Sequence, residues 1–147
     1  MTPYALENVL DGTDAIVRGD LPSDTVFTSI QRDARQAKPG ELFIALRGEN
    51  FDGHDFVDVA AAAGATAALV SRAWADEHLD APLPLLVVED PLNTLQQYAA
   101  WWRSRLPDLL VVGITGSVGK TSTKETVATV LQRGGETYRS PGNLNSE

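Results

Sequence analysis

Cysteine is absent from the 147 residues, and there is one methionine. Without a thiol there can be no disulfide, no zinc–thiolate site and no cysteine nucleophile. Basic residues are scarce: 12 Lys and Arg stand against 20 Asp and Glu, for a net charge of −8. A general nucleic-acid or anionic-membrane binder needs a basic surface, so no nucleic acid is expected as partner. Long apolar runs are missing too, so no membrane insertion is expected. The N-terminus shows no charged stretch followed by an apolar core, so the cytoplasm is the expected compartment. Internal repeats and low-complexity tracts are also lacking. What remains is an ordinary globular composition, 43% apolar, enough for one medium domain or two small ones.

Strand and helix signals alternate along the chain. Thr2-Pro3 offers an N-cap and a first-turn proline, predicting a helix through Leu10. A strand is predicted over 26–30. After the Lys38-Pro39-Gly40 turn, E-L-F-I-A-L (41–46) reads as a buried strand. A polar loop spans 47–53. Phe56, Val59, Ala60 and Ala63 follow at helical spacing and end in Gly64, a fitting C-cap. Next come a strand over 65–71, a helix over 72–79 and a strand over 85–89. This order implies an α/β layer with parallel pairs. Asp90-Pro91 caps a further helix, with Leu92, Leu95, Tyr98, Ala99, Trp102 and Leu106 on one face and Trp101 pointing elsewhere. The paired tryptophans read as packing rather than a ligand platform. Pro107 stops this helix, and a domain boundary is expected near Asp90.

Residues 111–123 read V-V-G-I-T-G-S-V-G-K-T-S-T. A short apolar strand (109–112), a glycine loop and a helix (120 to about 133) in that order make a phosphate site. Loop N–H groups and the helix dipole converge on one anion. Glycine lets the backbone approach phosphate oxygens that a Cβ would hold off. Lys120 supplies a point charge for the β- and γ-phosphates, and the Thr121 hydroxyl can ligate Mg²⁺. The commoner eight-residue P-loop is not matched, because Ile114 stands where its first glycine belongs. Average residue usage makes a chance G-x-x-G-K-[ST] in such a chain roughly a one-in-a-hundred event. Only 134–147 follow the helix, and no strand ending in an acidic residue comes after it. The nucleotide-binding half is therefore expected to be incomplete.

Five segments carry a resemblance in their order: D-x-R, K-P-G-E-L-F-I-A-L, R-G-E-N-F-D-G-H-D-F, G-I-T-G-S-V-G-K-T-S-T-K-E and P-G-N-L-N-S-E. Together they resemble the N-terminal third of a Mur ligase, over essentially the whole chain. F-D-G-H-D-F and G-N-L-N favour the branch that adds D-alanyl-D-alanine over the sister branch that adds the diamino acid. The resemblance implies a small N-terminal α/β domain (1–89) holding a UDP-linked substrate. After it comes the start of a P-loop-type parallel α/β ATPase domain (90–147). It implies UDP-N-acetylmuramoyl-tripeptide and D-Ala-D-Ala as substrates and ATP with Mg²⁺ as cofactors, in peptidoglycan precursor synthesis. In such ligases the tripeptide carboxylate becomes an acyl phosphate, and the incoming amine displaces phosphate. A third domain closes the site in the family. A monomer is expected, and this chain alone is expected to be inactive.

By the resemblance, Gly116, Ser117, Val118 and Gly119 cradle phosphates through backbone N–H groups. Lys120 neutralises developing charge, Thr121 ligates Mg²⁺, and Ser122 adds a phosphate contact. Family members often carry Asn at the place of Val118; backbone cradling tolerates the change. The UDP candidates are Asp33, Arg35, Arg47, Gly48, Asp52, Gly53 and His54, since an arginine fork suits diphosphate oxygens. Asp33-Ala34-Arg35 departs from the family's D-S-R, which removes a hydroxyl contact. Asp33 and Arg35 could equally form a structural surface pair, and His54 could simply begin a helix. Asn143 and Asn145 are candidates to position substrate or ATP, though asparagines beside Pro-Gly are also ordinary turn residues. His78 reads as solvated. A non-catalytic UDP-sugar-binding module, or the sister ligase that adds the diamino acid, is the alternative reading. An unrelated P-loop kinase or GTPase is disfavoured by the loop spacing.

Overall fold

The computed structural model describes residues 4–141. It divides into two compact units, Met1–Pro107 and Asp108–Glu147. The first contains α1 (Leu6–Asp11), β1 (Ile16–Arg18), β2 (Ile30–Gln31), β3 (Leu42–Ile44), α2 (Val57–Ala63), β4 (Ala67–Ser71), α3 (Arg72–Glu77), β5 (Leu85–Val88) and α4 (Pro91–Ser104). Single 3₁₀ turns cover Ala34–Gln36 and Gly53–Phe56. The five strands form one sheet in the order β1-β5-β4-β3-β2. β2, β3, β4 and β5 run parallel, and β1 joins β5 antiparallel through Ile16↔Val87.

The unbroken apolar runs of β3, β4 and β5 follow from burial on both faces. Alternate side chains divide between two cores, as the two-residue period of a strand requires. Phe43, Ala68, Val70, Leu85 and Val87 pack with Val57 and Ala60 of α2 and Ala75 of α3. Leu42, Ile44, Ala67, Leu69, Leu86 and Val88 pack on the other side with Leu6 and Val9 of α1 and Tyr98 of α4. The unit is thus a helix–sheet–helix sandwich. Gly64 closes α2 in the left-handed conformation at φ 103°, the backbone region where glycine carries no Cβ penalty.

Several boundaries differ from the sequence expectation. The first helix begins at Leu6 behind Ala5; Thr2 and Pro3 lie outside the described residues. The ladder of the second strand is confined to Ile30–Gln31. Val26 instead bridges Ala5 and Phe27 donates to the Tyr4 carbonyl, so that stretch pairs with the N-terminal segment. On α4 the buried residues are Pro91, Thr94 and Tyr98, with Leu95 and Trp101 half-buried against the same core. Trp101 therefore faces inward, while Leu92 and Leu106 are exposed. That inward packing places α4 within the first compact unit, whose end is Pro107 rather than Asp90.

In the second unit α5 spans Lys120–Leu131. Residues 109–112 form no strand. Leu110 is 75% exposed and Leu109, Val111 and Val112 are each about half exposed. A strand is defined by its ladder, and no strand is found among the described residues of this unit.

Candidate functional site

Two places gather the predicted residues. The first is the carboxyl edge of the parallel strands, where open α/β sheets bind ligands. Asp33 follows β2, the loop 47–54 follows β3, Ser71 ends β4 and Glu89 follows β5. Both groups of UDP candidates thus leave the same edge, from neighbouring strands.

Asp33 caps the 3₁₀ turn and takes a two-pronged bond from Arg35, Nε to Oδ1 and Nη2 to Oδ2, each at 2.9 Å. Gln36 also donates to Oδ2. The Arg35 guanidinium, with help from Gln36, holds the Asp33 carboxyl far below the usual carboxylate range, and Asp33 raises Arg35 in turn. The surface pair is the arrangement found, with the Arg35 side chain 80% exposed.

The loop after β3 closes on itself. Arg47 bridges Asp52 antiparallel, Gly48 N–H donates to the Phe51 carbonyl, and Gly53 N–H donates to the Leu46 carbonyl. A Cβ on Gly48 would stand 2.6 Å from the Phe51 ring, and one on Gly53 would stand 2.6 Å from the Leu46 backbone. Self-packing of the loop accounts for both glycines. Arg47 Nε and Nη2 both donate to Asp52 Oδ2, at 2.8 and 2.6 Å. Burial alone would raise the Asp52 carboxyl. The His54 N–H, the His54 ring and Arg47 outweigh it and hold the carboxyl at about 2.

His54 is buried and does more than begin a helix. Its Nε2 accepts the Ser71 N–H at 2.9 Å, and its Nδ1 lies 2.5 Å from Asp52 Oδ1. The residue also lines a cavity of about 330 Å³ with Trp74, His78, Asp55, Asp58 and Asp80. His78 is half-buried rather than solvated; it stacks on Trp74 at 4.1 Å and its Nδ1 meets the Trp74 carbonyl. Composition could not reveal this pair, although the four-residue spacing of Trp74 and His78 puts them on one helix face. Three carboxylates around the cavity disfavour a diphosphate there. Sequence reasoning also passed over Arg72: just past the end of β4 it pairs with Glu89 through Nε at 2.5 Å.

The second place is the glycine loop before α5. Gly116 and Gly119 have φ of 149° and 81°. A Cβ on Gly119 would meet nothing within 4 Å, so conformation, not crowding, calls for glycine there. No side chain caps α5, which leaves its N-terminus to backbone and ligand. The Lys120 ammonium folds over the loop onto the Gly116 carbonyl. Ser117, Val118, Thr121 and Ser122 are all exposed around it. These features fit a nucleotide phosphate with its cation. Farther along, Arg139 pairs with Glu125, and Lys124 donates to the Ser140 carbonyl at 2.8 Å, tying the returning chain to α5. Asn143 and Asn145 lie outside the described residues.

The chain is similar to proteins of one known family. UDP-N-acetylmuramoyl-tripeptide–D-alanyl-D-alanine ligase of Escherichia coli K12 is 45% identical over 133 residues, covering 90% of this chain and 28% of that protein. The chain thus spans little more than a quarter of that relative's length. The chain's fold superposes on the UDP-N-acetylmuramoylalanyl-D-glutamyl-2,6-diaminopimelate–D-alanyl-D-alanyl ligase of Acinetobacter baumannii with a TM-score of 0.85, at 34% identity, covering 97% of this chain and 31% of that one. A Thermotoga maritima MurF ligase solved in complex with ADP gives a TM-score of 0.60 at 32% identity, covering 80% and 26%. The model of the Mur ligase family, catalytic domain, matches residues 26–103, more than half of the sequence. The chain belongs to the Mur ligase family.

Proposed function

We propose that this chain provides the UDP-substrate domain and the phosphate loop of an ATP-dependent ligase that joins D-Ala-D-Ala to UDP-N-acetylmuramoyl-tripeptide. The observation that carries the reading is the junction at Gly119 and Lys120. A left-handed glycine opens an uncapped twelve-residue helix, and a lysine ammonium already lies across the loop. In this reading the N–H groups of the loop 116–119 hold phosphate oxygens, Ser122 adds a contact and the Thr121 hydroxyl ligates Mg²⁺. Lys120 exchanges the Gly116 carbonyl for the β- and γ-phosphate oxygens, where its charge counters what develops in phosphoryl transfer. Bound ATP supplies the phosphoryl group that activates the tripeptide carboxylate.

The carboxyl edge of the first unit serves the uridine-diphosphate end of the substrate. Arg35 and Arg47 are exposed there on adjacent strand ends, and a guanidinium fork matches diphosphate oxygens. The test titrates UDP and Mg-ATP separately into the chain, following amide shifts. UDP should move Arg47, Gly48 and Gly53, and Mg-ATP should move Gly116, Gly119 and Thr121. Shifts from UDP confined to Asp33 and Arg35 would move the substrate site to the β2 end. Silence of the 116–122 resonances at millimolar Mg-ATP would remove the ligase reading.

A further inference from the structure

The bonding around His54 runs in one direction. Ser71 N–H can only donate, so Nε2 accepts and the ring proton sits on Nδ1. Nδ1–H then donates to Asp52 Oδ1, and Asp52 Oδ2 takes two N–H groups of Arg47. The end of β4 thereby orients an imidazole, the imidazole a carboxylate, and the carboxylate a guanidinium. The inner end is fixed, with the His54 side chain 4% exposed; the outer end is open, with Arg47 76% exposed.

We propose that His54 is a positioning residue that aims Arg47 at the diphosphate of the UDP-linked substrate, acting through Asp52. The proposal rests on the reading of the 47–54 loop as the diphosphate site. Loop closure itself does not depend on the ring. The Gly53–Leu46 and Gly48–Phe51 bonds close it through backbone alone. What the ring adds is the orientation of the Asp52 carboxylate. Asp52 occupies two of the five N–H groups of the guanidinium, leaving three for another acceptor. Its negative charge weakens the pull of Arg47 on an anion, so the pair contributes direction rather than field strength. A long exposed arginine held this way loses less freedom when an anion arrives.

The test uses calorimetric titration of UDP into the 147-residue chain and three variants. In His54→Asn the side-chain amide nitrogen stands near the place of Nδ1 and can still donate to Asp52. In His54→Gln the longer side chain reaches the place of Nε2 and meets Ser71 instead. Arg47→Ala and His54→Gln should each weaken UDP binding about tenfold, and His54→Asn by no more than about threefold. Both His54 variants should lose thermal stability, so affinity and stability part company, which a purely structural histidine would not produce. Nitrogen-15 spectra of the wild-type ring should show an unprotonated Nε2. If His54→Gln binds UDP like wild type while Arg47→Ala does not, the positioning role falls and the diphosphate reading stands. If Arg47→Ala itself binds like wild type, both fall. Should neither His54 variant fold, the wild-type ring spectrum decides, and a protonated Nε2 overturns the proposal.

Discussion

Lys120 is exposed and has a backbone carbonyl as its resting partner, a partner that a phosphate oxygen can replace with little reorganisation. In a ligase built on this segment, as proposed, Lys120→Ala should lower turnover by about 10²–10³, the usual loss for one electrostatic contact in such sites. UDP affinity should stay close to wild type, because the uridine candidates belong to the other compact unit. A variant retaining more than a tenth of the activity would take Lys120 out of the mechanism. Asp52 makes a prediction in pH. Its folded carboxyl sits at about 2, below the ordinary 3.8. A depressed carboxyl contributes stability that is fully present above its ordinary value and lost as pH falls through the folded one. The wild-type chain should therefore lose more stability than Asp52→Asn between about pH 4 and pH 2, measured by urea unfolding at each pH. Parallel acid limbs would show that the Asp52 bonds do not survive in solution. Single residues are partly legible in sequence. The loop glycines, Lys120, Arg35 and Arg47 announce themselves by type and motif, whereas Arg72 does not. The partner of His54 does not, because Ser71 arrives from the next strand, seventeen positions on.

At the scale of elements, the three central strands are readable because burial on both faces writes an unbroken apolar run. β1 is not: I-V-R is three residues long and only partly buried, with its pairing supplied by β5 from far along the chain. The run 109–112 shows the converse, since apolar content without a neighbouring strand makes no ladder. The face of α4 is rotated from the one its apolar spacing suggests, and the reason is visible at Gly12. A Cβ there would lie 2.7 Å from ring atoms of both Trp101 and Tyr98, which themselves stack at 5.7 Å. The end of α1 thus docks against inward-facing rings of α4, and Arg105 covers Trp101 at 3.9 Å from just past the end of the helix. Gly12→Ala should destabilise the first unit by about 1–3 kcal/mol, the typical cost of overpacking. Denaturant unfolding followed by tryptophan fluorescence measures it. An unchanged midpoint would mean that the rings yield without cost.

At the scale of the whole molecule, the chain carries both candidate binding regions but spans only 28% of its E. coli relative. By itself it should release no phosphate in the presence of UDP-N-acetylmuramoyl-tripeptide, D-Ala-D-Ala and Mg-ATP, because closure of further parts completes sites of this kind. Release that requires both substrates would overturn this. The exposed 109–112 run has a consequence for how these molecules behave in a tube. Exposed apolar residues with no charge among them are the composition that favours pairing with a neighbouring copy. Mutual repulsion from the −8 net charge opposes that contact. Raising salt from about 0.01 M to about 1 M shortens the reach of that repulsion from about 30 Å to about 3 Å. Light scattering should then grow with salt and with chain concentration, and Val111→Lys should abolish the growth. Surface charge and exposed apolar chain then act against each other whenever two copies meet.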